Sequence, residues 1–363
     1  MFCQEGFAAQ GEVRLLGAHV VGPLGFSGAQ LSNEGGAALN ADRLRVDGGM
    51  FCRGLAAQGE VRLLGAHVVG QLGFSGAQLS NKGGAALSAD ELRVDGGMFC
   101  QEGFAAQGAV RLLGAHVGGQ LDFSGATLAN PGGIALSLYE VEVPGSLWLR
   151  FAAPPEGTVD LRSARVGALY DSERTWPGTL GLWGFTYDHL EADTQVSSTG
   201  RLRWLDRDPK GYAPQPYEQL AAFYRRAGHE QDARRVAIKK QRRRRGELPP
   251  PAKAWNFFLG AAIGHGYRAW LAGVWLLTLL VVGWVVFGLA YPEHFEPAKR
   301  VGNFPDFQPF IYTLDLVLPV INLGQRDAWI AQGPAQWGAL LTVAGWVLAT
   351  AALAALTGLL RKD

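Results

Sequence analysis

The sequence predicts a mainly β protein: a β-solenoid, then a helical hairpin, then a two-helix transmembrane domain. Three observations carry this reading. Ala8–Cys52 returns as Ala56–Cys100 with differences at only four of 45 aligned positions, Pro23/Gln71, Glu34/Lys82, Asn40/Ser88 and Arg43/Glu91. Glycine recurs throughout this half, with no apolar stripe at helical spacing. Near the carboxyl end, Trp270–Tyr291 and Trp337–Leu360 run for 22 and 24 residues without a charge. A repeat of about 48 residues marks a stacked, quasi-one-dimensional array.

A third, more drifted copy begins at Ala105 (AAQGAVRLLGAHVGGQLDFSGATL). Each copy also subdivides. VRLLGAHV from Val13 aligns with LGFSGAQL from Leu24, and Leu39 and Cys52 continue the series. A unit is a pair of alternating apolar residues followed by a Gly-Ala step, the pattern of a short strand and a tight corner. Frequent glycine argues against helix. Four units per repeat predict two coils of about 24 residues each. The inward ladder is then Val13/Leu15, Leu24/Phe26, Leu39/Leu44 and Met50/Cys52, stacked on its copies.

The three cysteines, Cys3, Cys52 and Cys100, share one repeat position, as do His19, His67 and His116. Rows of this kind suggest metal or redox chemistry. Coils rise by about one strand spacing, ~4.8 Å, so residues one repeat apart lie roughly 10 Å apart. That exceeds the ~7 Å Cα limit for a disulfide and the reach of a shared zinc ion. The expectation is buried thiols acting as small apolar groups, with the histidines on an outer face. Without a disulfide framework or a signal peptide, the array is expected in a reducing cytoplasm. Met1-Phe2-Cys3 aligns with Met50-Phe51-Cys52, so the chain starts inside a repeat with no polar cap. Either a longer amino end or a covered one is expected.

The array is expected to fill residues 1–170, its last coils being SLWLRF (Ser146–Phe151) and TVDLRSARVGALY (Thr158–Tyr170). Residues 171–212, rich in tryptophan and glycine, then form a cap and connector. Residues 213–250 form a basic helical hairpin. Pro216–Gly228 places Tyr217, Leu220, Ala221 and Tyr224 on one face, and Ala233, Val236 and Ala237 make a second stripe. The run Lys239, Lys240, Arg242, Arg243, Arg244, Arg245 follows. The net charge of +1 hides a polarity: residues 201–268 carry sixteen basic against six acidic side chains, and residues 1–145 carry eight against thirteen.

Residues 251–363 form the membrane domain, with spans at about 270–291 and 337–360, each long enough for ~30 Å of hydrocarbon. Lys253 and Arg268 precede the first span, and Arg361-Lys362 ends the second, so both termini are expected in the cytoplasm. The basic run then faces an anionic inner leaflet, where each cation contributes about 1 kcal/mol. Nucleic acid is not the expected partner. Between the spans, a segment at about 305–325 contains Asp315, Pro319 and Asn322, is too short to cross, and reads as re-entrant or interfacial. Span, re-entrant segment, span is the plan of a two-helix channel subunit, which makes Asp315 and Asn322 ion-pathway candidates. LPVINLGQRD stands where a potassium filter would carry its T-V-G-Y-G loop.

No catalytic constellation is visible, and no catalytic residue, cofactor or metal is expected. Gly264–Ala269 matches G-x-G-x-x-A, but it leads directly into an apolar span and has no acidic partner near twenty residues on. VRLLGAHVGGQLDFSGATL, PYEQLAAFYRRAGHEQDARRVAIKKQRRRR and FQPFIYTLDLVLPVINLGQRDAW are similar to segments of bacterial pentapeptide-repeat-like membrane proteins with a C-terminal two-span domain. That resemblance implies a right-handed solenoid and a place in the bacterial inner membrane. Proteins of that layout are often named membrane-associated oxidoreductases. The units here run 11–13 residues, not the strict A-(D/N)-L-x-x pentapeptide. The reading for function is a membrane-anchored, non-catalytic scaffold with a protein partner on the solenoid, and with homo-oligomers in view. The expected partner face is set by the charge differences between copies, Glu34 against Lys82 and Arg43 against Glu91.

Overall fold

The computed structural model describes residues 6–192, 196–247, 270–298, 305–318, 322–333, 336 and 338–360. The chain divides into two compact units, Met1–Lys240 and Gln241–Asp363.

The first unit opens with a parallel β-solenoid of about eight turns. Its strands join into one sheet of nine and one of thirteen, and every pairing within these two sheets is parallel. Most strands on the larger sheet are two residues long, and a glycine-bearing corner follows each one within a few residues. Leu24, Met50, Leu72, Met98, Leu121 and Leu147 stand in one column, partner on partner. The expected inward ladder is the core: Leu24, Phe26, Leu39, Leu44, Met50 and Cys52 are fully buried. Val13 and Leu15 pack only partly against that core, whereas their copies Val61 and Leu63 are fully buried. The pairing continues past Tyr170. Arg165–Asp171 pairs with Thr186–Ala192, and Glu156–Asp160 with Thr179–Gly181.

Coils alternate in length, with 26 residues separating Leu24 from Met50 but 22 separating Met50 from Leu72. The difference is a bulge: Ser32 faces Gln58, and Ala37 is the next residue to pair, with Glu60. Asn33 Nδ2 closes this bulge by donating to the Ala37 carbonyl at 2.8 Å. Asn81 and Asn130 repeat the contact at 2.8 and 2.9 Å. Beneath the first bulge Gly59 has φ +118°, and a Cβ there would lie 2.5 Å from the Asn33 carbonyl oxygen.

Three helices follow the solenoid. α1 (Ser198–Leu205) is capped by the Ser197 hydroxyl, which accepts from Gly200 N at 3.1 Å. α2 (Pro214–Arg226) starts on proline and buries Tyr217, Leu220, Ala221 and Tyr224, the face expected from sequence. α3 (Glu230–Glu247) buries Ala233 and Val236.

The second unit contains α4 (Trp270–Ala290), α5 (Pro309–Val317) and α6 (Gly338–Leu360). Within α4, Gly273–Ala290 is long and apolar enough to cross a membrane, and only 11% of it is buried. Most of its apolar side chains therefore face outward rather than into this unit. α5 packs against both long helices, its approach permitted by Gly283 on α4 and Gly345 on α6. A Cβ at Gly345 would sit 2.3 Å from the Val317 carbonyl oxygen. A two-stranded antiparallel ribbon, Phe295–Pro297 with Trp329–Ala331, was not expected from sequence.

The bulge supplies a test. Gly35 has φ +78° with open space around it, so Gly35→Ala costs about 1 kcal/mol of backbone strain. Gly59→Ala adds a backbone collision and lowers the urea midpoint much further, with far-UV circular dichroism as the readout. Equal midpoints for the two variants would refute the bulge as the determinant of coil length.

Candidate interaction surfaces

Stacking turns each outward repeat position into a ladder. On the larger sheet His19, Arg45, His67, Arg93, His116 and Glu142 pair in consecutive coils. The histidines sit on the outer face, as the sequence predicts. His19 Nε2 lies 2.8 Å from Asp47 Oδ2, and Arg45 Nε donates to Asp47 Oδ1 at 2.9 Å. One repeat on, His67 and Arg93 hold Asp95 at 2.9 Å each. The His19 ring keeps the Asp47 carboxyl below the usual range, and His67, then Arg93, do so for Asp95. The row is a charge-matched surface.

At the corner after the bulge, Asp42 accepts from Arg62 Nη2 at 2.6 Å and from Leu64 N at 3.0 Å. Asp90 does the same for Arg111 and Leu113. These aspartates clamp one corner to the next, and the recurring A-D-x-L was the available sequence signal. Of the expected partner face, Glu34 and Lys82 stand exposed on the bulges, and Arg43 and Glu91 stand exposed at the corners with φ +55° and +57°. They form two pairs at two places on the coil rather than one patch.

A second outward column carries a ring on every second coil as far as Trp148, with Gly25, Gly73 and Asp122 on the coils between, and then a further ring, Tyr170, on the next coil. Gly25, Phe51, Gly73, Phe99, Asp122, Trp148 and Tyr170 pair in succession. Trp148 and Tyr170 stack with centroids 4.1 Å apart, and the Arg150 guanidinium lies 4.8 Å from the Trp148 ring. The Arg53 guanidinium stands 5.8 Å from the Phe51 ring. A notch of about 180 Å³ opens over Gly73, between Phe51 and Phe99. Sequence reading placed Phe51 and Phe99 in the repeat without recognising that they face out.

Cys52 and Cys100 are buried free thiols, two coils apart, and Cys3 lies outside the described residues. Burial pushes the Cys52 thiol up to about 12 and raises Cys100 as well. Neither is a thiolate at neutral pH, so neither is a nucleophile or metal ligand there. Among the described residues, no group of three or more His, Cys, Asp or Glu side chains could hold a metal ion. Iodoacetamide at pH 8 should leave both cysteines unmodified in the native chain and label both in guanidinium, read by peptide mass spectrometry. Rapid native labelling would disprove the inward column.

Where the helices meet the last coils lies the most buried ion pair among the described residues, between Asp171 at the end of a solenoid strand and Arg201 on α1. Arg201 and Asp171 are each about 3% exposed, and two hydrogen bonds of 2.5 and 2.7 Å join them. Trp176 Nε1 donates to Asp171 at 2.9 Å, and the Trp176 and Trp204 rings flank Arg201 at 5.3 and 5.5 Å. Trp176 and Trp204 of the 171–212 segment therefore pack as a cap, whereas Trp183 stays exposed. Asp171→Asn leaves a buried cation without its charge and should cost about 3–5 kcal/mol. The double variant Asp171→Leu/Arg201→Met should lose less than either single change in thermal melts. A near-zero cost for Asp171→Asn would refute the pair as the anchor of the cap.

Of the basic run, Lys239 pairs with Asp206 at 3.5 Å and Lys240 with Glu218 at 2.5 Å. These two lysines fasten α3 to the rest of the cap, so their charge is already committed. Arg242, Arg243 and Arg244 are exposed, and the Arg245 side chain lies outside the described residues. Lys253, Arg268, Pro319 and Arg361-Lys362 also lie outside them. Asp315 is fully buried, and its two oxygens accept from Leu323 N at 2.9 Å and Arg326 N at 3.0 Å. Asn322 donates to Asp327 at 2.9 Å and accepts from Gly324 N at 2.8 Å. Both ion-pathway candidates thus hold the turn after α5 together.

No family model, curated protein or solved structure matches this chain.

Proposed function

We propose that this chain is a two-pass inner-membrane protein that presents its solenoid at the cytoplasmic surface as a non-catalytic scaffold. The observation that carries the reading is the union, in one chain, of outward ladders on a stacked array with an exposed apolar helix. Among the described residues Gly273–Ala290 of α4 is the one stretch long and apolar enough to cross, and the reading takes it as the first span; the second is assigned to α6 from the uncharged run Trp337–Leu360. The positive-inside asymmetry of the flanking sequence puts both termini in the cytoplasm. The exposed arginines Arg242, Arg243 and Arg244 then lie where anionic headgroups attract them. Lys239 and Lys240 contribute less, because each already has a carboxylate.

Repeat arrays bind through long surfaces rather than pockets, and both outward ladders here run across several coils. The chemistry is that of recognition: paired charges in one column, rings and guanidinium groups in the other. Asp315 and Asn322, spent on backbone and side-chain bonds, give the channel reading no support.

Membranes carrying the full chain should retain it through high-salt and alkaline washes, and removal of residues 270–363 should release it. Chemical cross-linking in those membranes, followed by mass spectrometry, should recover protein partners that disappear when residues 6–192 are deleted. A partner set indifferent to that deletion would sink the scaffold reading.

A further inference from the structure

We infer that the aromatic column of the solenoid is a docking groove for a proline-rich segment in the polyproline II conformation. The inference rests on the scaffold reading and names the chemistry of its partner.

The argument begins with the two-coil period. Phe51, Phe99 and Trp148 occupy the same outward column at every second coil, with Gly73 and Asp122 on the coils between. Successive rings are therefore two strand spacings apart, about 9.6 Å. A polyproline II helix has three residues per turn and a 3.1 Å rise, about 9.3 Å per turn. Laid along the stack, such a segment presents the same face to each ring in turn. An extended β-strand repeats its faces at about 6.6 Å and an α-helix at 5.4 Å, so neither keeps step.

The side chains fit the same occupant. The Gly73 notch, walled by Phe51 and Phe99, is of a size to take a pyrrolidine ring. Gln71, Ser75, Gln101 and Arg53 surround it. A polyproline II backbone makes no internal hydrogen bonds and leaves its carbonyls exposed. The amide and guanidinium donors around the notch match those acceptors, as in other aromatic-lined grooves that take proline-rich peptides. The interval between Phe99 and Trp148 is different. Its floor is Asp122, held by Ser124 N at 2.7 Å and Gln120 Nε2 at 2.9 Å. The groove therefore has one open notch and a polar continuation.

Glycine at position 73 is what keeps the notch open. A Cβ there would meet only the Phe51 ring, at 3.9 Å. A β-branched side chain suits the strand, so Gly73→Val fills the notch without disturbing the coil.

The test uses the full chain in detergent micelles and fluorescein-labelled decaproline, read by fluorescence anisotropy. Saturable binding is expected, weakened at least tenfold by Phe51→Ala and by Gly73→Val, with the Gly73→Val melting midpoint unchanged. A glycine-serine decapeptide should not bind. No saturable decaproline binding, or binding that both variants retain, overturns the inference. A chain that recovers solenoid-dependent partners yet ignores decaproline overturns this inference alone. Decaproline binding with no solenoid-dependent membrane partner overturns the scaffold reading alone.

Discussion

Everything in the first unit depends on one constraint, the fixed rise of parallel strands from coil to coil. A rise of ~4.8 Å brings equivalent residues of successive coils into contact and no others. A column that points inward must be apolar along its whole length, because a single polar member would be buried between two apolar neighbours without a partner. The columns through Met50 and Leu44 obey this rule. A column that points outward becomes a ladder whose members interact only with the rungs above and below. The same rule separates Cys52 from Cys100 and forbids the chemistry that three aligned cysteines first suggest.

The repeat is nevertheless two coils long, and the Asn33 bulge explains why. It inserts extra residues into every second coil on the smaller sheet, so adjacent coils cannot be equivalent. Once coils alternate, outward columns are free to alternate too. Histidine alternates with arginine in one column and phenylalanine with glycine in the other. The bulge thus sets the period of both surfaces. A solenoid of identical coils would place aromatic rings at every rung and leave no notch.

How much of this was legible in the sequence depends on whether the signal was local. The strand-corner unit, the inward ladder, the two-coil repeat and the α2 face were all legible, because each rests on short-range periodicity. The bulge was signalled by N-x-G-G at Asn33, Asn81 and Asn130 but went unread, since its meaning lies in pairing across coils. The coils from Thr179 to Ala192 were read as cap because their apolar pattern is diluted by Trp183 and Tyr187. Nothing near Asp171 announces Arg201, thirty residues on, as its partner. The outward direction of Phe51 was equally hidden: an aromatic beside Met50 and Cys52 reads as core until the alternation of the strand is fixed. Of the charged candidates, Glu34, Lys82, Arg43 and Glu91 stood out through the charge reversals between copies, but their division between bulge and corner was not legible.

The differences between the two near-identical copies follow from the same physics. All four fall outside the buried apolar columns. Asn40 and Ser88 show what the remaining positions require. Asn40 donates to Glu12 at 2.8 Å, and Ser88 donates to Glu60, the same glutamate one repeat later. The side chain changes, yet the donor to the neighbouring coil remains. At 34/82 and 43/91 no neighbouring rung imposes such a demand, and the charge reverses. Phe51 and Phe99 answer to a local demand of their own, since their rings lie over Gly49 and Gly97, where an added Cβ would come within 2.7 and 2.8 Å of the ring. The third copy keeps an aromatic ring in this column as Trp148 but sets Asp122 where the second has Gly73, so only the interval floored by Gly73 stays open.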